Sequence, residues 1–175
     1  MKKKNNSIIY VCLLIASCTT IEEKKNLQDK PTARIRVIAE DGQTVSFGEL
    51  KEDKNCVFGF GNAWRYSVVK MDMISSSSHQ SIGIPLPPGP NAIYKEYRIG
   101  ANAPYKLSIV SEHNALESRC VTAVSFFPDE NKDYEALQIR ARGIGCYQKI
   151  YEILNTQNGI TKIPLNNAKK LPLCE

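Results

Sequence analysis

The chain has 175 residues, 42% hydrophobic, 23% charged and 8% aromatic, with 10 Gly and 9 Pro. That is the composition of an ordinary single globular domain, and it excludes a mainly disordered chain. The formal net charge of +5 includes Lys2, Lys3 and Lys4 and falls to +2 without them. No basic run remains, which argues against nucleic acid as a partner, and no second long apolar run exists to suggest a polytopic membrane protein.

The first elements form an export signal. Three lysines lie within Met1 to Asn6, nine apolar residues follow from Ile8 to Ala16, and Ala16-Ser17-Cys18 closes the segment. As a helix the apolar run is roughly 13 Å long, too short for a bilayer core of about 30 Å. It reads as a signal peptide over residues 1–17, removed on maturation. Leu14-Ile15-Ala16-Ser17-Cys18 resembles the lipobox of bacterial lipoproteins. The resemblance implies that Cys18 becomes a lipidated N-terminus and the membrane, reached through this anchor, a partner. Two or three acyl chains give the durable attachment that one chain cannot. Thr19, where Asp commonly marks inner-membrane retention, points to the outer membrane, facing the periplasm. Residues 18–32, charged and poor in aromatics up to Pro31, read as a flexible tether, and residues 33–175 as the domain.

With Cys12 in the signal and Cys18 lipidated, Cys56, Cys120, Cys146 and Cys174 remain. An even remainder in an exported domain reads as two disulfides. Three pairings are possible. Cys120 with Cys146, leaving Cys56 with Cys174, is expected because Cys120 and Cys146 flank one hairpin and the strand after it, although register decides the matter. No Cys-x-x-Cys or Cys-x-x-His spacing suggests a metal, and His79 and His113 stand alone, so neither a metal site, a cofactor nor a catalytic thiol is expected.

Alternation dominates the domain. Ala33 to Ala39 sets Ile35, Val37 and Ala39 against Arg34, Arg36 and Ile38, and Asp41-Gly42 suggests a turn returning as Thr44 to Phe47. Cys56 to Phe60 and Ala63 to Val69 read as two strands joined at Gly61-Asn62, with Phe58, Phe60, Trp64 and Tyr66 at alternate positions. Core packing is the expected use of these aromatics. Ser75 to Asn91, with four consecutive serines and the PLPPGP segment, is the longest stretch without strand character. Its length and its prolines make Pro85, Leu86 and Pro88 candidate binding residues. Strands are expected again at Tyr94 to Ile99, Pro104 to Val110, Cys120 to Phe127, Tyr134 to Arg140 and Cys146 to Leu154. Pro128 to Asp133 reads as a hairpin turn, and its carboxylates, with Glu135, lack the spacing of a calcium loop. The serines near His79 lack a nucleophile turn and an orienting acid.

About nine short strands without a long amphipathic helix predict an all-β domain, an antiparallel β-sandwich of immunoglobulin or transthyretin type, with a small closed β-barrel as the alternative. Ile82-Gly83-Ile84-Pro85, Glu96-Tyr97-Arg98-Ile99, Phe126-Phe127-Pro128, Asp133-Tyr134-Glu135 and Cys146 resemble a group of small proteobacterial envelope lipoproteins, over roughly residues 82–153. That resemblance implies a sandwich-like domain and no particular activity. The expected function is therefore a membrane-anchored, non-enzymatic binding or structural module for an envelope protein or glycan. The alternative is a small inhibitor or accessory factor of a cell-wall hydrolase or secretion apparatus.

Overall fold

The structure, a computed structural model, describes residues 30–39, 43–59, 61–75, 79–86, 88–89, 92–113, 118–141 and 145–175. The signal segment, Cys18 and the tether up to residue 29 lie outside them, as do the Asp41-Gly42 turn, Phe60, Ser76 to Ser78 and Pro87. In chain order the elements are β1 (Thr32–Ala39), β2 (Gln43–Leu50), α1 (Gly61–Ser67), β3 (Val68–Ile74), β4 (His79–Gln80) and β5 (Ile93–Gly100). There follow β6 (Tyr105–His113), β7 (Ser118–Phe126), β8 (Asp133–Ala141), β9 (Gly145–Thr156), β10 (Gly159–Pro164) and β11 (Lys169–Lys170). Residues 31–175 form one compact unit.

The strands form two sheets packed face to face, a β-sandwich: one of order β10-β9-β8-β1-β5-β4 and one of order β11-β7-β6-β2-β3. Period-two alternation turns one side of each strand inward. Ile35 and Val37 of β1, Ala136 of β8 and Ile150 of β9 thus meet Phe47 of β2, Leu107 and Ile109 of β6 and Phe126 of β7 in a dry core. Each of these side chains larger than alanine contributes about 1.5–3 kcal/mol of hydrophobic stabilisation. Both sheets end in open edges, so the closed barrel does not form.

Three expectations about connectivity are corrected. β1 and β2 are not a hairpin: β1 lies between β5 and β8, while β2 lies between β6 and β3 in the other sheet. β1 is covered on both faces, so it takes a central position with two neighbours of its own sheet. β7 and β8 are not a hairpin either. Their connection is fastened to the start of β1, with Asn131 N–H donating to Thr32 O and Arg34 N–H to Lys132 O. It therefore crosses between sheets, and β8 runs parallel to β1. With β4 parallel to β5, the sandwich is not purely antiparallel.

The third correction concerns residues 56–69. Instead of two strands joined at Gly61-Asn62, Val57 makes a single bridge to Leu173, α1 occupies Gly61–Ser67, and the strand begins only at Val68. Trp64, Ser67 and Val68 are buried while Arg65 and Tyr66 are exposed, a helical spacing that alternation obscured. This segment lies over the outer face of the five-stranded sheet. There Trp64, Val57, Leu50 and Val68 pack on Val110 and Ala123 as a second small core, and the Trp64 indole donates to Ser108 Oγ at 2.8 Å. The aromatic reading is thus split, with Trp64 in the core and Tyr66 outside.

Disulfides join Cys56 to Cys174 and Cys120 to Cys146. The first ties the cover segment to the C-terminus. The second links β7 to β9, so it bridges the two sheets and not neighbouring strands of one sheet as the hairpin reading had it.

Candidate functional site

The six-stranded sheet has an outer face, and alternation in β1 directs Arg34 and Arg36 onto it. Register then sets Arg36 directly between Glu96 of β5 and Glu135 of β8. All three are buried, each 1% exposed. Charges so far from water persist only when paired and hydrogen-bonded. Arg36 donates from Nε and Nη2 to Glu96 Oε1 at 2.9 and 2.7 Å, and from Nη1 to Glu135 Oε2 at 3.3 Å. Lys162 of β10 reaches Glu135 Oε1 at 2.6 Å. Beside them Arg34 grips Asp133 with two bonds of 2.6 and 2.7 Å, and the Arg36 guanidinium lies 5.3 Å from the centre of the Tyr94 ring.

Water is excluded by Ser81 to Leu86, the middle of the segment expected to be a loose loop. The N–H groups of Ile82, Gly83 and Ile84 converge on Glu96 Oε2 at 2.7, 3.0 and 3.1 Å, and Ser81 Oγ adds a bond of 2.9 Å. Successive amides aimed at one oxygen form an anion nest, here filled by the protein's own carboxylate. In return Arg36 donates to Ile84 O and Leu86 O at 3.0 and 2.6 Å, and Arg34 to Gly83 O at 3.2 Å. Burial pushes the Glu96 carboxyl upward, but Arg36, the Ile84 and Ile82 amides and Ser81 outweigh it and hold it below the ordinary carboxylate range.

Gly83 turns at φ 88° and Leu86 at φ 59°. Glycine adopts that region freely, whereas for leucine it is strained by about 1–3 kcal/mol. The two Arg36 bonds to Ile84 O and Leu86 O fix this turn. Pro85, Leu86 and Pro88 emerge half-buried, while Ile84 turns into the protein.

Chemically the cluster holds backbone in place. Both Glu96 oxygens and both Glu135 oxygens already accept bonds from the protein. Among the described residues no group of three or more His, Cys, Asp or Glu side chains could hold a metal ion. Asp129 and Glu130 are exposed, Asp133 and Glu135 belong to the arginine pairs, and His79 lies in β4 with its ring edge-on to Tyr94. Sequence reading missed Arg36, Glu96 and Glu135 as a unit. The available signal was charge at alternate positions of three strands, arginine in one and carboxylates in the other two, which suits direct neighbours.

A second surface lies on the other sheet. β3 is its edge strand, and Tyr66, Val69, Met71 and Met73 stand 74%, 66%, 48% and 52% exposed there. Compared with known protein families, curated proteins and solved structures, the chain matches none.

Proposed function

We propose that the protein is a lipid-anchored cell-envelope module that presents the Ser81–Pro88 loop, through Pro85, Leu86 and Pro88, to an envelope protein or glycan. The observation that carries this reading is Leu86, a leucine held in the left-handed conformation by an arginine on buried carboxylates. Strain fixed by its surroundings is a mark of functional loops, and a loop ordered in advance loses little entropy on binding. The two disulfides fit an oxidising compartment, and the lipobox resemblance at Cys18 supplies the anchor and favours the outer membrane, facing the periplasm. Loop rigidity also suits the second reading, an inhibitor of a cell-wall hydrolase.

A photo-crosslinking residue at Pro88 in intact cells is expected to capture a discrete partner that the same residue at exposed Lys170 does not. Replacing Pro85, Leu86 and Pro88 together by Ser is expected to weaken that capture at least about tenfold. The melting temperature should move by only a few degrees, because Arg36 holds backbone carbonyls that serine retains. A collapse in melting temperature would mean that the side chains serve the fold. Equal crosslinking at both positions would discard the loop as the binding element.

Cys18→Ser is expected to release the protein from membranes, because the apolar run before it is too short to anchor the chain. Metabolic palmitate label that survives in Cys18→Ser would refute the lipidation.

A further inference from the structure

The exposed edge at β3 has a property that the loop reading does not use. We propose that β3 pairs antiparallel with β3 of a second copy, about a two-fold axis through Met71, joining the two five-stranded sheets into one continuous sheet. Among the described residues, β2 is the only strand that pairs with β3, so its outer side carries no partner strand there. Lys70, Met71, Asp72 and Met73 lie in unbroken register opposite Glu49, Gly48, Phe47 and Ser46 and so alternate between two faces, and the register shifts only beyond Lys70, at the exposed Val69. A two-fold axis at Met71 sets Met71 opposite Met71 of the other copy, Val69 opposite Met73, and Lys70 opposite Asp72.

One face of the joint would carry methionines and valines. The other would carry two Lys–Asp pairs of opposite charge. No other arrangement does both. An axis at Lys70 opposes lysine to lysine, one at Asp72 opposes aspartate to aspartate, and parallel pairing opposes like charges at both positions. A slip of one residue sets charged side chains against apolar ones.

The neighbouring strand leaves the apolar side chains standing. Gly48 and Ser46 of β2 lie beside Met71 and Met73, so nothing large on that side covers them. Two large apolar side chains on a bare edge are what soluble sheets usually avoid, by proline, bulges or isolated lysine. Here the Lys70 and Asp72 charges select a self-match instead of blocking every approach. Asp72 already accepts from Lys95 Nζ at 2.6 Å and from Met73 N–H at 2.7 Å. It is nevertheless 42% exposed in its side chain, so a second cation can reach it. The Met73 amide, now held by its neighbour's carboxylate, becomes available for the strand-to-strand ladder.

The test uses the full chain in detergent, with unlabelled and nitrogen-15 protein mixed and treated with a carbodiimide, which joins an amine to a carboxylate in contact. A Lys70–Asp72 crosslinked peptide of mixed isotope is expected, together with a concentration-dependent dimer in sedimentation. Asp72→Lys should weaken dimerisation at least about tenfold, and Lys70→Asp added to it should restore the dimer. Met71→Glu keeps every existing charge and should also abolish the dimer, which covers a failure of Asp72→Lys to fold. A monomer at every concentration overturns the proposal, as does a dimer insensitive to both Asp72→Lys and Met71→Glu.

Discussion

Glu96→Ala is expected to lower the melting temperature by roughly 10 °C. It removes the partner of a fully buried arginine, a change that costs about 3–5 kcal/mol, and in a domain of this size each kcal/mol moves the midpoint by about 2–4 °C. It also strands the amides of Ile82 and Ile84, which donate to Glu96 Oε2, and leaves the Gly83 amide only its bond to Ser81 Oγ at 3.1 Å. Glu135→Ala should cost less, because Arg36 keeps its two shorter bonds to Glu96. Acid should act through the same group. The Glu96 carboxyl in the folded protein lies below its ordinary value of about 4.3, so its contribution is complete above that pH and is lost as the pH falls through the folded value. Thermal melts between pH 7 and pH 3 should therefore fall more steeply for the wild type than for Glu96→Gln. Equal slopes, or a Glu96→Ala midpoint within a few degrees of wild type, would show that the loop is held by something else.

The second large effect is expected from Cys56→Ser with Cys174→Ser. The bond closes a loop with a sequence separation of 118, and on the chain-entropy account such a closure contributes at most about 5 kcal/mol. Its loss should be felt unevenly. The C-terminus pins the cover segment through Val57 N–H to Pro172 O and Cys174 N–H to Val57 O, and the inner side of that segment carries Trp64, the sole tryptophan. In the double variant the Trp64 fluorescence should shift to the red at a lower temperature than the loss of β-sheet circular dichroism, whereas the wild type should show one coincident transition. Coincident transitions in the variant, at an unchanged midpoint, would mean that the backbone bonds hold the cover unaided.

Fold class and most strand positions were legible because they depend on local pattern. Ile35, Val37 and Ala39 alternate with Arg34, Arg36 and Ile38, and such a pattern marks a strand with one apolar face, although Arg36 is buried on the other face as well. The two bridges among Cys56, Cys120, Cys146 and Cys174 were equally readable, as an even remainder once the first 18 residues are read as a signal and a lipidated Cys18. The sheet to which each strand belongs was not. A turn such as Pro128 to Asp133 fixes a change of direction but not whether the chain returns beside itself or crosses to the facing sheet. That is decided by distant groups, here the bonds from Asn131 to Thr32 and from Arg34 to Lys132. The same limit hid the charged cluster: Arg36 is separated from Glu96 by 60 residues and from Glu135 by 99, and only strand register brings them together. It also hid the cover helix, where Trp64 and Ser67 answer to the sheet beneath them and overrode a sequence that alternates well enough to pass for a strand. The sequence by itself determined the fold class and the positions of β1, β2 and β5 to β9. Only the tertiary structure decided that Ser81 to Leu86, a stretch without strand pattern, is held by hydrogen bonds to charged side chains: its amides close on a carboxylate that pairs an arginine from another strand, and no local pattern carries that information.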